Sequence, residues 1–158
     1  INVGWMEEIG AVFPDARFVF MIRDGVDVVH SHTKTLGTPL REAAETWRRS
    51  TQFLQEFRQN HSHPCRGVRY ENFVRDPETE TRKLCDFLGL EFSPSMVEAD
   101  RDSELSDLQR VDHHRRVLTP ITEDRIGVGH KALAPDEKQT VKDLIGSDLR
   151  EWGYSTSI

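Results

Sequence analysis

Cysteine is nearly absent from this chain: Cys65 and Cys85 are the only two among 158 residues. Two thiols cannot build a disulfide framework, and they fit a reducing compartment, so the expected location is cytoplasmic. No apolar run approaches the ~20 residues that a spanning helix needs, and the opening residues do not read as a signal peptide. A basic excess is missing as well. Lys and Arg number 21 against 27 Asp and Glu, a formal net charge of −6, which argues against a nucleic-acid partner. Metal-ligand spacing is also lacking. The seven histidines (His30, His32, His61, His63, His113, His114, His130) include pairs spaced i,i+1 and i,i+2, which share no helix face. No metal is expected. Nothing in the sequence fixes the oligomeric state.

What is present is enough for one domain with a real core. Apolar residues from Val3 to Val12 recur at helical spacing up to Phe13-Pro14-Asp15. Phe18-Val19-Phe20-Met21-Ile22 is an unbroken apolar run, which predicts a parallel strand buried on both faces. Val26 to Leu36 reads as a helix stopped by Gly37, and Leu40 to Phe57 as a long amphipathic helix. Val68-Arg69-Tyr70 reads as a second buried strand. Asp76-Pro77 starts a helix that Gly89 ends, with Leu84, Phe87 and Leu88 on its inner face. Residues 98–107 read as a solvated acidic stretch, and Pro120 to Ala134 as irregular chain. Pro135 opens a last helix with Val141, Leu144, Ile145, Leu149 and Trp152 on one stripe. Strands alternating with helices imply an α/β domain with a parallel sheet. Two strands are few for an independent sheet, so the chain reads as the later portion of a domain that begins upstream.

Chemistry is expected at Arg23, which closes the first strand, because open α/β sheets place ligands at strand carboxyl ends. Ser31 follows eight residues later, about two turns into the next helix. A guanidinium offers a planar fork to phosphate oxygens and a hydroxyl adds a donor, so the pair fits one phosphate. The plainer alternative pairs Arg23 with Asp24 or Asp27 and leaves Ser31 on the helix surface. Trp47 and Cys85 read as core residues.

Three ordered stretches resemble the sulfotransferases that use 3′-phosphoadenosine 5′-phosphosulfate (PAPS), in particular their bacterial and tyrosylprotein-type branch. The first is Phe18 to Ser31 with Arg23-Asp24-Gly25 at its centre. The second is Val68-Arg69-Tyr70-Glu71-Asn72-Phe73-Val74-Arg75-Asp76-Pro77-Glu78, followed by Phe87-Leu88-Gly89-Leu90. The third is Arg125-Ile126-Gly127-Val128-Gly129-His130-Lys131-Ala132-Leu133, and the Trp152-Gly153-Tyr154 ending also matches. In the third stretch Val128 and Gly129 stand where the family usually carries a cation and a tryptophan.

The resemblance implies a three-layer, P-loop-like α/β sulfotransferase fold, a parallel sheet flanked by helices, of which residues 1–158 form the C-terminal portion of a single domain. It implies that Arg23 and Ser31 hold the 3′-phosphate of PAPS, that Tyr70 lies beside the adenosine, and that Arg125 and the Gly127 backbone close over the phosphates. It also implies that the 5′-phosphosulfate loop and the catalytic base lie upstream of residue 1, so no catalytic residue is assigned here. The expected activity is transfer of a sulfuryl group to a hydroxyl or amine of a small-molecule or peptidyl acceptor. The alternative is a non-catalytic sulfotransferase-like module that binds a nucleotide or a partner.

Overall fold

The computed structural model describes residues 2–98 and 121–157. Most of the acidic stretch, together with His113, His114 and Pro120, lies outside the described residues. A 3-10 turn at Asn2–Trp5 leads into helix α1 (Met6–Val12), then strand β1 (Phe18–Ile22) and helix α2 (Gly25–Leu36). Helix α3 (Leu40–Asn60) returns the chain to strand β2 (Cys65–Arg69). Helices α4 (Tyr70–Arg75) and α5 (Pro77–Leu88) follow, with a 3-10 turn at Pro94–Met96. The last two helices are α6 (Val128–Ala132) and α7 (Pro135–Glu151). The expected architecture holds: an α/β unit in which a small parallel sheet is flanked by helices.

β1 and β2 pair in parallel, in a register that runs from Phe18 opposite Cys65 to Ile22 opposite Arg69. The crossover between them is the α2–α3 pair, as parallel strands require. α2 is capped by the Asp24 carboxylate, which accepts a hydrogen bond from Val26 N–H at 2.8 Å. It ends at Gly37, whose φ of 68° is a left-handed stop that other residues adopt only at a cost. Asp76 caps α5 by accepting from Thr79 N–H, and hydrogen bonding from the Thr79 side chain, then its backbone, holds the Asp76 carboxyl below the usual carboxylate range.

The core lies where α2, α3 and α7 meet the end of β1. Val26, Val29, Ala43, Ala44, Val141, Ile145 and Leu149 are fully buried there, with Trp47 and Ile22 beside them. A second cluster joins Met6, Phe20, Leu54 and Phe57. No helix among the described residues is long and apolar enough to cross a membrane.

Three expectations need correction. β1 is buried on one face only. Phe20 and Ile22 point into the core, whereas Val19 is 44% and Met21 53% exposed. The apolar run records two apolar faces, and helices of the described residues cover only one of them. β2 lies at Cys65–Arg69 rather than Val68–Tyr70, because Tyr70 already opens α4. The segment read as irregular carries α6, a single helical turn that packs on α2. A smaller adjustment concerns α5, where Cys85 and Glu80 are the buried residues and Leu88 is 37% exposed.

Candidate functional site

The sharpest polar cluster of the molecule forms where β1 hands over to α2. Trp47, fixed in the core, donates its indole N–H to the Arg23 carbonyl at 3.1 Å and so anchors the strand end. Two positions on, Gly25 has no room for a side chain. A Cβ there would stand 2.8 Å from Ile145 and 3.0 Å from Trp47, so helix α2 starts hard against α3 and α7. This close packing aims the Arg23 side chain away from the core.

Arg23 meets three groups. Its Nη2 donates to the Arg125 carbonyl at 2.6 Å. The same nitrogen lies 3.7 Å from Asp27 Oδ2. Its guanidinium covers the Tyr70 ring at 4.5 Å from the centroid, within cation–π range. Arg23 Nε is buried and has no hydrogen-bond partner among the described residues.

Asp27 is the buried centre of the cluster, at 1% exposure. Its Oδ2 accepts from Gly127 N–H at 2.8 Å and its Oδ1 from Gly129 N–H at 2.7 Å. A buried carboxylate survives only with such partners. Gly127 sits at φ 71°, which turns both amides toward one point. Gly129 has no room for any side chain: an added Cβ would fall 2.4 Å from the Val26 carbonyl oxygen. The chain therefore approaches α2 backbone to backbone where the family usually carries a tryptophan.

A second layer holds the first. Glu71 Oε1 accepts from Asp24 N–H at 2.9 Å, and its Oε2 accepts from the Tyr154 hydroxyl at 3.0 Å. The Ile22 carbonyl lies 3.2 Å from the same hydroxyl, whose single proton is shared between them. Burial, then the charge of Glu71, pushes the Tyr154 phenol far above its ordinary value. His130 Nε2 meets Asp24 Oδ2 at 3.1 Å. That hydrogen bond raises the imidazole pKa, against a smaller opposing effect of burial. A cavity of about 440 Å³ opens beside this layer, lined by Asp27, Arg69, Glu71, Gly127, His130 and Tyr154 among others. An apolar cavity of about 510 Å³ opens along β1 on the other side of Arg23, lined by Met6, Val19, Met21, Trp47 and Leu54 among others.

Of the five residues singled out in the sequence, four come together. Arg23, Tyr70, the Arg125 carbonyl and the Gly127 amide meet within one cluster, although Arg23 and Arg125 are far apart in sequence. The Arg125 guanidinium itself lies at the surface, 3.7 Å from Asp124. Ser31 stands one turn beyond Asp27 on α2, half-buried, and no hydrogen bond links it to the cluster among the described residues. Glu71, His130 and Tyr154 are members that sequence reading did not assign, whereas Asp27 was expected only as the alternative partner of Arg23 and does lie 3.7 Å from it. One signal was available for Asp27: a carboxylate at i+4 from Arg23 amid the apolar residues Val26, Val28 and Val29. Among the described residues no group of three or more His, Cys, Asp or Glu side chains is placed to hold a metal ion.

A strand ending in a half-buried arginine, a capped helix behind it and a late loop folded over both define one polar α/β corner. The sulfotransferase family profile matches residues 1–94, and the chain belongs to that family. Protein-tyrosine sulfotransferase A of Caenorhabditis elegans is 24% identical over 155 residues, 90% of this chain and 40% of its own length. The protein-tyrosine sulfotransferase of Drosophila melanogaster is 30% identical over 94 residues, 54% of this chain and 19% of its own. The chain thus spans well under half the length of these relatives. Among solved structures, the sulfotransferase domain from the curacin biosynthetic pathway superposes with a TM-score of 0.70 at 19% identity. It covers 98% of this chain and 59% of its own. The sulfotransferase domain of the Synechococcus PCC 7002 olefin synthase gives 0.66 at 21% identity, covering 90% of this chain and 54% of that one. These likenesses fix the fold.

Proposed function

We propose that this protein serves sulfuryl transfer from PAPS to a hydroxyl or amine acceptor, and that its described residues grip the 3′-phosphate end of the donor. The observation that carries this reading is the meeting of Arg23, Tyr70 and the Arg125–Gly127 segment at the carboxyl end of β1. In a phosphate site an arginine supplies charge and a planar pair of donors, while backbone amides supply fixed dipoles. Arg23 contributes the charge, Ser31 a neutral donor two turns along α2, and the Tyr70 ring a flat surface beside the base. The Arg125–Gly127 segment closes over the phosphates as backbone, while the Gly127 N–H itself stays with Asp27 Oδ2. Sulfuryl transfer, like phosphoryl transfer, asks the protein chiefly for positioning and for stabilisation of charge. The protein-tyrosine sulfotransferases among its relatives favour a peptidyl acceptor over a small molecule, and the reading includes a cytoplasmic location.

A second reading, a nucleotide-binding module without transfer, is favoured by one observation. Gly129 is packed so tightly on α2 that the ring usual at that place has no room. Turnover of labelled PAPS by the purified protein separates the two readings.

Calorimetric titration with adenosine 3′,5′-bisphosphate and adenosine 5′-monophosphate tests the grip itself. The protein should prefer the bisphosphate, and Arg23→Ala should weaken that ligand by about tenfold to more than a hundredfold. Equal binding of the two nucleotides, or an Arg23→Ala protein that keeps the preference, would defeat the assignment.

A further inference from the structure

Asp27 is not a donor to any phosphate, yet it holds two parts of the proposed grip, Arg23 and the 125–129 segment. Its carboxylate is buried, and both oxygens are committed to the chain: Oδ1 to Gly129 N–H and Oδ2 to Gly127 N–H. Those two bonds dock the 125–129 segment onto α2 across a hundred residues of sequence. The Arg125 carbonyl that fixes Arg23 Nη2 belongs to the docked segment. Asp27 Oδ2 also lies 3.7 Å from Arg23 Nη2. The guanidinium therefore owes two of its three contacts to Asp27, one directly and one through the docked loop. Its third, the Tyr70 ring, only sets its plane.

We infer that Asp27 is a positioning residue, whose buried carboxylate clamps the Arg125–Gly129 segment to α2 and thereby holds Arg23 in the orientation that receives a phosphate monoester. The inference rests on the proposed 3′-phosphate site. Close fit makes the clamp all-or-none: with no space between Gly129 and the Val26 carbonyl, the segment cannot slide and keep both amides on the carboxylate. A carboxylate suits the task because it accepts at both oxygens and adds the charge that steadies a guanidinium. An asparagine would turn an NH2 group toward one of the two amides and would carry no charge.

Two variants test the clamp by independent routes. Asp27→Asn removes the charge and one acceptor. Gly129→Ala leaves the carboxylate intact and forces the segment away from α2. Each protein is titrated with adenosine 3′,5′-bisphosphate and with adenosine 5′-monophosphate, and amide hydrogen exchange is followed over residues 125–133. The expected result for both is a loss of about tenfold or more in bisphosphate affinity, with monophosphate affinity changed by less than about threefold. Exchange at the Gly127 and Gly129 amides should rise in step. A purely structural Asp27 would lower the melting temperature and leave the ratio of the two affinities alone. Folded variants that keep the wild-type ratio would overturn the inference and leave the phosphate site standing. A wild type that shows no bisphosphate preference would overturn both. Should Asp27→Asn fail to fold, Gly129→Ala decides alone.

Discussion

Around Val26 and Ile145 the protein is held by apolar contact, whereas a few residues away, around Asp27 and Glu71, it is held by charged hydrogen bonds. Both regions share helix α2, one on each side of its first turn. In the apolar region many small contacts add up, and losing some of them costs stability in proportion. In the polar region each carboxylate oxygen has a named partner, and losing one changes where a loop or a guanidinium sits. The comparison separates what keeps the chain folded from what gives the site its shape.

The largest expected effect tests the apolar side. Ile145 is fully buried and its side chain stands against Gly25 at the start of α2. Ile145→Ala should destabilise the protein by ~2–5 kcal/mol in denaturant unfolding, with the nucleotide preference of the folded protein unchanged. A lost preference at full occupancy of the folded state would break the separation. On the polar side, Tyr154→Phe strands the buried Glu71 Oε2 without its donor. A cost of ~1–3 kcal/mol is expected, read by thermal unfolding. Replacing both partners together, with Glu71→Gln added, should cost less than the sum of the two single changes.

Ser31→Ala should weaken bisphosphate binding by ~1 kcal/mol and leave stability unchanged, because the hydroxyl is neutral and has no partner to strand among the described residues. The smallest effect is a pH dependence at His130. Its pKa is raised in the folded protein by the hydrogen bond to Asp24, with Asp27 adding to the shift and Lys138 opposing it. The folded state thus binds the proton more tightly than the unfolded one. The stabilisation is complete below the ordinary histidine value of about 6.5 and fades as pH rises through the raised value. The melting-temperature gap between wild type and His130→Gln should be wider near pH 5.5 than near pH 8.5. A gap that is constant, or wider in base, would remove the pair from the account.

Local patterns carried much of this architecture. Gly37, Gly89 and the Asp76-Pro77 start mark helix ends by backbone rules that act within a few residues, and all three hold. The strand at Phe18–Ile22 was legible, but its exposed face was not. An apolar side chain reports that burial would be favourable, and only the packed helices decide whether it happens. At the site, Arg23 stood out through chemistry and spacing, and Tyr70 through the family resemblance of its stretch. Glu71 and Tyr154 did not, and Asp27 appeared only as a local partner of Arg23, because their meaning lies in contacts with partners 47 to 102 residues away. A single sequence gives no register for such contacts. Gly129 is the instructive case: read in sequence it is a missing tryptophan, and in the fold it is the place where two backbones touch.

The central claim is that the carboxyl end of β1 receives the 3′-phosphate of an adenosine nucleotide, and a crystal structure with adenosine 3′,5′-bisphosphate bound tests it most directly. The account predicts the 3′-phosphate within hydrogen-bond distance, about 3 Å, of the Arg23 guanidinium and the Ser31 hydroxyl, with the adenine beside Tyr70. A bisphosphate seated elsewhere, with Arg23 still bound to the Arg125 carbonyl and clear of any phosphate, would contradict it.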